Sequence, residues 1–587
     1  MTNYSDLVEF TTVDELKTRL KSLPFACKVP NRKADVAKQL LSTLMDLDKL
    51  TLIFNNLSSL QQLALQEAVH NQNGYLNIFV FEAKYQQDHP SRAGWSYYQN
   101  KGKKDDKLLY PFFYARKRYG SVVYIPDDLR LFIKQHIPLP PKFSVNTSPC
   151  IDSESEGLQQ QETAQYTQSE FNHLINTIKD KKLKISPKTG LPSKALLKKL
   201  SLQLNEPYQQ PLSTEDDAIS TIKAFGWIQI LRAASWVKEA NGELQINVKK
   251  LSLKQRHCDI VKALFWDWKS HSTLDELSRI KAVKGQKGKA QRHLTEPEMR
   301  REECIATLTQ CPTGEWVAFD DFIRLMTVTN HFFDITLYSS LLYIGDSVYG
   351  RLHDDRFLTS VYTRCILLEY FATLGLIDIA YVEPDKAQDN YADEYWLDDL
   401  EYLSVYDGLT YLRLTQLGAY VLGITDSYSE SFASSETPIT MLPKYGIKFL
   451  QQPTASEKIF LTHYADEQTK AVWQLSVSKL LSHIENGGEL AEVQDFLTQR
   501  DEQPYFPTDT EHLFKTLTQN KVAVTLEGRV LLLQCSSETI AKNIACAPII
   551  KKWCKRVGKD QLIIPEGKEA VFRKLIHELK YAMPILT

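Results

Sequence analysis

The chain has 587 residues, 43% of them apolar and 24% charged, with a formal net charge of −2. That balance excludes a disordered chain and a histone-like cationic coat, and the length suggests about three to five domains. No apolar run approaches the roughly 18 residues of a membrane helix, and the acidic start MTNYSDLVEFTTVDEL lacks the order of a secretory signal, so a cytoplasmic protein with no membrane partner is expected.

Residues 1–50 read as two short helices around an extended loop. Val13, Leu16, Leu20 and Leu23 form a helical stripe, Pro24 and Pro30 bracket the loop, and Val36, Leu40 and Leu44 resume the period. The text DELKTRLKSLPFACKVPNRKADVAKQLLSTL resembles a SAP-like DNA-binding module; an ordinary helical hairpin is the other reading.

Residues 51–143 read as a winged-helix-like unit: helical text over SSLQQLALQEAVHNQ, an apolar strand Leu76–Phe81, a second strand-like run from Ser121 to Ile125, and a helix Asp127–His136 closed by prolines. Within it, the run from Tyr110 to Tyr119 mixes aromatics with Arg116, Lys117 and Arg118. Those cations suit phosphates, while the aromatics suit either stacking or a core. Residues 144–164, rich in Ser, Gln and Glu, read as a linker.

Residues 165–278 read as a small winged-helix-like and helical region. A helix is followed by KLKISPKTGLPSKALLKKL, where Lys182, Lys184, Lys188 and Lys194 surround a Lys-Thr-Gly turn. Trp227, Trp236, Trp266 and Trp268 lie at helical spacing among Leu, Ile and Phe, which marks them as core. Residues 279–299 read as a mobile basic loop. Arg279, Lys281, Lys284, Lys287, Lys289 and Arg292 stand there, with Arg300 and Arg301 just beyond.

Residues 300–424 repeat the helix, strand, loop, strand, helix order of a winged-helix hairpin, with an acidic loop between the strands at 383–401. That loop lacks the DxDxDG spacing of a calcium site and reads as solvated. Residues 425–439 read as a second linker, and residues 440–587 as an α+β domain.

The last region, with FLQQP, EVQDFLTQ, LLLQC, ETIAKNIACAPII and IIPE in that order, resembles the accessory domain found beside bacterial XPB-type helicases. The segments YLRLTQLGAYVLG and LKISPKTGLPSK are similar to the winged helices that precede that domain. The resemblance covers much of 168–587 and implies accessory architecture without the helicase motor.

Catalytic signatures point the same way. A phosphate-cradling loop needs GxxxxGK[ST], and the nearest text, Gly285-Gln286-Lys287-Gly288-Lys289-Ala290, has the wrong spacing and no hydroxyl after the lysine. GxSxG and HExxH are absent from the sequence. Nine cysteines with irregular spacing and no CxxC read as reduced thiols rather than disulfides or zinc ligands. One enzyme-like trace is Glu82-Ala83-Lys84 at the end of the expected strand, a pattern that metal-dependent nucleases use, although Asp46 and Asp48 upstream fall in a helix.

The fold class expected is therefore mainly α with α+β parts, multidomain, with tandem winged-helix-like units and a C-terminal α+β domain. The function expected is a non-catalytic DNA-binding accessory subunit of a DNA-processing or genome-defence complex, antiviral defence included, with no cofactor and no metal. Its partners would be DNA, bound without sequence preference, and a separate helicase, nuclease or ATPase. The alternatives are a protein–protein scaffold that uses winged helices for assembly and, more remotely, a metal-dependent nuclease.

Overall fold

The computed structural model describes residues 3–75, 77–90, 108–116, 122–151, 157–180, 183–186, 192–208, 221–240, 242–247, 256–288, 290–344, 351–352, 355–387, 402–428, 437–453, 455–485, 489–501, 503, 505–521, 524 and 529–583. Helix outweighs strand, 49% against 15%, and the strands form several small sheets, so the protein is mainly α with α+β parts. The chain divides into two compact units, one of residues 1–437 with 451–463 and one of residues 438–450 with 464–587.

The first unit opens with helices α1 (Tyr4–Phe10), α2 (Val13–Lys21), α3 (Lys33–Leu44), α4 (Leu47–Asn56) and α5 (Ser59–His70). Thr12 and Glu15 form a reciprocal capping box at the start of α2, satisfying backbone donors that a helix end leaves open. The stripe of Leu16, Leu20, Val36, Leu40 and Leu44 is fully buried.

Helix α6 (Ile78–Tyr85) then occupies the place where a strand was expected. Its β-branched and aromatic residues favour a strand by propensity. Two local devices override that preference: the Asn77 side chain caps the helix by accepting from the Val80 N–H at 3.2 Å, and Phe81 and Tyr85 meet one turn apart with ring centroids 4.8 Å from each other. Strands β1 (Tyr114–Arg116) and β2 (Val122–Tyr124) pair antiparallel, and α7 (Asp127–His136) closes the group. Phe112, Phe113 and Tyr114 belong to the core, and the Arg19 guanidinium is stacked on the Tyr110 and Tyr114 rings, 4.0 Å from each centroid.

The expected linker at 144–164 is partly built into a sheet. Ser148 and Trp316 exchange backbone hydrogen bonds of 3.0 and 2.8 Å, and β3 (Gln159–Gln161) forms a sheet edge. The polar text concealed this, because an edge strand needs backbone partners more than apolar side chains. Residues 152–156 lie outside the described residues.

Next come α8 (Ala164–Asp180), β4 (Leu183–Lys184), α9 (Lys194–Ser201), α10 (Ile222–Ala233), β5 (Val237–Ala240) and β6 (Glu243–Ile246). The strands form an antiparallel sheet in the order β4-β6-β5. Helix α11 (His257–His271) and the short strand β7 (Val283–Lys284) follow. The same sequence of elements then recurs: α12 (Pro297–Leu308), β8 (Trp316–Ala318), α13 (Phe319–Val328), the short β9 (Tyr343–Ile344) paired with β7, α14 (Asp355–Ile366), β10 (Ile377–Tyr381) and β11 (Leu409–Leu414). Here the sheet order is β8-β11-β10, with β3 added outside β10. Helix α15 (Gln416–Val421) and α16 (Ala455–Thr462) complete the unit. Beyond α16, His463 Nε2 lies 2.7 Å from Nδ1 of His173 on α8.

These two α-β-α-α-β-β groups share one continuous apolar core from Phe171 to Val421. Trp227, Trp236 and Trp268 are inside it, as expected. Trp266 departs from the expectation: it is 39% exposed, and its indole N–H donates to the Val421 carbonyl at 3.1 Å. The third helix of the second group, α14, runs into a single π-helical turn, Leu367–Phe371. That turn packs on α10, and Gly226 makes the approach possible. A Cβ on Gly226 would stand 2.1 Å from the Glu369 carbonyl oxygen.

The second unit begins with a four-stranded antiparallel sheet, β12 (Ile439–Leu442), β13 (Gly446–Phe449), β14 (Ala465–Thr469) and β15 (Val472–Leu475), in the order β12-β13-β15-β14. Helices α17 (Val477–Glu485), α18 (Ala491–Arg500) and α19 (Thr508–Gln519) follow. A β-α-β-β-α group ends the unit: β16 (Val530–Gln534), α20 (Glu538–Cys546), β17 (Lys555–Val557), β18 (Gln561–Pro565) and α21 (Glu569–Glu578), in the sheet order β16-β18-β17. Ile544, Ile550, Leu562, Ile564, Phe572 and Ile576 fill the core between this sheet and its helices.

The closeness of α10 to the π turn gives a direct test. Gly226→Ala forces two backbones apart and should lower the unfolding free energy by about 2–3 kcal/mol, the usual scale for overpacking a core. Urea denaturation of the variant measures this, and an unchanged midpoint would contradict the packing described.

Candidate nucleic-acid interface

The expected basic loop at 279–299 is anchored rather than mobile. Ile280 and Val283 are buried, and the Gln286 amide donates to the carbonyls of Leu277, Ile280 and Val283 at 3.0, 3.1 and 2.7 Å. Arg279, and the two arginines that follow the loop, Arg300 and Arg301, point inward. Arg279 Nε donates to both Glu369 oxygens at 3.1 and 2.9 Å, and Tyr406 donates its hydroxyl to the same carboxylate. Arg301 Nε meets Glu276 at 2.8 Å, and the other Glu276 oxygen accepts from Tyr362 at 2.7 Å. Arg300 grips Asp275 with two bonds of 3.0 and 2.7 Å. Three cations of the most basic segment are therefore internal charges with carboxylate partners. Only such pairing makes their burial tolerable.

The same pattern continues at the start of α10. Lys223 is buried against Glu170 at 2.9 Å, and the Trp227 indole donates to the other Glu170 oxygen at 3.1 Å. Glu206 accepts from the backbone N–H groups of Lys223 and Ala224 at 2.8 and 2.9 Å and so caps the helix. Burial raises the carboxyl groups of Glu276 and Glu369, with Arg301 and Arg279 respectively pulling the other way. Burial also pushes Glu206 up to about 7, against the two N–H groups it accepts from.

The remaining expected site residues divide as follows. Lys184 and Lys194 are exposed, and so are Lys284 and Lys287. Arg116 has its backbone in β1 and Arg292 in a short 3-10 turn, but their side chains lie outside the described residues, as do Lys117, Arg118, Lys182, Lys188 and Lys289. An isolated bridge between Ile185 and Pro192 brings Lys184 and Lys194 to the base of one loop. The Ile185 N–H donates to the Gly242 carbonyl at 3.0 Å, so the β5–β6 turn meets the same place.

Helix α9 extends this face. Leu197 and Leu200 face the core, the Ser193 hydroxyl caps the first turn, and Lys194, Lys198 and Lys199 are exposed. Lys198 and Lys199 were not among the expected site residues, yet they share this exposed face, and the sequence carries a signal for it: seven lysines and no Asp or Glu stand between positions 181 and 205.

The third helices behave oppositely. Every residue of α10 from Ile222 to Leu231 is buried, and so is the whole π turn of Leu367–Phe371. Neither presents an open face.

The nuclease trace rests on a strand that is a helix here. Lys84 on α6 pairs with Glu67 at 2.6 Å, both side chains buried, and the Tyr85 hydroxyl donates to the same Glu67 oxygen at 2.7 Å. Glu82 accepts from the His89 N–H at 3.2 Å. Lys84 is thus taken up by packing between α5 and α6, and Glu82 by the turn that follows α6. None of the nine cysteines forms a disulfide, and burial pushes Cys304 and Cys311 up to about 12. Among the described residues, no group of three or more His, Cys, Asp or Glu gathers as a metal site. Most of the acidic loop, 388–401, lies outside the described residues.

Compared with known proteins, the chain matches no protein-family model and no curated protein by sequence.

The burial of Glu206 predicts a pH dependence. Its folded pKa of about 7 stands above its ordinary 4.5, so between those values the folded state holds a proton that the unfolded state releases. Stability from this group is greatest below pH 4.5, falls as pH rises towards 7 and then levels off, a change of about 3 kcal/mol. Urea denaturation at pH 5 and pH 8 should show that loss in the wild type and its absence in Glu206→Gln. Equal pH slopes in the two proteins would refute it.

Proposed function

We propose that this protein is a non-catalytic DNA-associated accessory subunit of a DNA-processing or genome-defence complex, working in the cytoplasm beside a separate helicase, nuclease or ATPase. The carrying observation is the repeated α-β-α-α-β-β order with the first strand beside the third. That is the element order of a winged helix, and it occurs twice within one core. Tandem winged-helix architecture, the lysine-rich text of 181–205 and the resemblance of 440–587 to helicase-accessory domains support the same reading.

A scaffold role is favoured by a separate observation. Residues Ile222–Leu231 of α10 and the π turn that ends α14 are buried against each other, so these two elements pair protein with protein. The two readings separate on salt. For a DNA-associated subunit, log K for a mixed-sequence duplex falls linearly with log[salt], with a slope of about −0.9 for each neutralised phosphate. Fluorescence anisotropy with the full chain from 50 to 300 mM salt measures it. Absence of duplex binding at the lowest salt would leave the scaffold reading.

A further inference from the structure

Within the DNA-associated reading, on which this inference rests, the groove-reading face of the first winged-helix group is unavailable. An α-helix reads bases by entering the major groove with exposed side chains. The third helix of the first group, α10, has none over Ile222–Leu231. The third helix of the second group ends in a π turn whose five residues are buried and whose Glu369 carbonyl is covered by Gly226. Freeing either would break the core and expose the paired charges of Lys223, Arg279, Glu170 and Glu369.

We propose that the ligand-binding surface is instead the lysine face of the second helix, α9, together with the outer face of β4, and that its ligand is the phosphate backbone of duplex DNA. Lys194 and Lys198 stand one helical turn apart, and Lys199 is exposed beside them. The Ile185–Pro192 bridge sets Lys184 at the foot of the same helix. Glu243 stands opposite Lys184 in the β4–β6 pair, and the eight residues of α9 include no acid. The eight residues of α9 span about 12 Å, enough to meet several successive phosphates on one strand.

The chemistry sets the ligand class. Each cation on α9 is a lysine, a point charge on a flexible stem rather than a planar fork, so it meets phosphate with less geometric demand than a base edge would impose. Binding is consequently independent of sequence. Single strands are held by stacking bases on exposed aromatics, but Phe171, Trp227 and Trp236 of this group are buried. Duplex is therefore preferred over single strand.

The test uses the full chain, a mixed-sequence duplex, a duplex of the same composition in permuted order, and an oligo-dT strand of equal length. In Lys194→Gln/Lys198→Gln/Lys199→Gln the salt slope flattens by up to about 2.7 units, so the affinity lost between 50 and 200 mM salt shrinks by roughly 40-fold. The control Lys448→Gln/Lys515→Gln/Lys542→Gln removes three exposed lysines of the second unit and keeps the wild-type slope. Circular dichroism checks the fold; should the triple variant not fold, Lys194→Gln alone should flatten the slope by about one unit. A wild type that binds duplex with a steep slope, and a folded α9 variant that keeps it, overturns this surface while leaving DNA association standing. Tighter binding to oligo-dT, or strong discrimination between the two duplexes, overturns the ligand class. A wild type that binds no duplex overturns both the surface and the reading beneath it.

Discussion

The close approach of α10 to the π turn of Leu367–Phe371 governs the first unit. Two helical backbones meet where Gly226 lies under the Glu369 carbonyl, and a side chain as small as a methyl has no room there. The extra residue of a π turn changes the direction of carbonyls and side chains relative to an α-helix. Here it places the Glu369 carbonyl against one group and its carboxylate towards Arg279 and Tyr406. The Glu369 backbone therefore meets the first α-β-α-α-β-β group, while its side chain ties Arg279 and Tyr406 to the second.

Buried charges then fix that arrangement. Arg279–Glu369, Arg301–Glu276 and Lys223–Glu170 are all withdrawn from water. Desolvation offsets much of the attraction in such pairs, and apolar replacements often do as well in stability. Their effect lies in discrimination. A shifted register of α10 against the π turn strands a charge in the core, at a penalty of several kcal/mol. The aromatic hydroxyls of Tyr362 and Tyr406 complete the carboxylates and leave no tolerance for sliding.

Much of the fold class was legible because its signals are local. Periodic leucines marked α2 and α3, and Gly375, at φ +73°, marked the turn from the helical segment into β10. What escaped notice was decided at long range. Arg279 lies in a run that looks like solvated surface, and its partner Glu369 is 90 residues away. The strand β3 is three glutamines whose pairing partner, β10, lies beyond position 370. Ile78–Tyr85 misled through composition, since Asn77 and an i,i+4 aromatic pair outweigh strand propensity. The candidate site was half legible. Lys184 and Lys194 stood out as charges around a turn, whereas Lys198 and Lys199 resembled the ordinary polar face of an amphipathic helix. The burial of α10 was foreshadowed only by its nearly uninterrupted apolar text, IKAFGWIQIL.

These constraints bear on how such a unit divides its surfaces. A winged-helix group has one apolar side that must be buried and one helix free to meet a ligand. When the third helix is spent on a neighbouring group, the charge available for outside contact moves to the second helix and the first strand. Lysines there sit on elements held by Leu197, Leu200 and Leu183, so they are positioned by the core without being part of it. If this face meets DNA, as proposed, it would gain attraction and salt sensitivity but little means of telling one base pair from another. On the proposed reading, any sequence preference would have to come from a partner protein, because a lysine face offers a duplex charge alone.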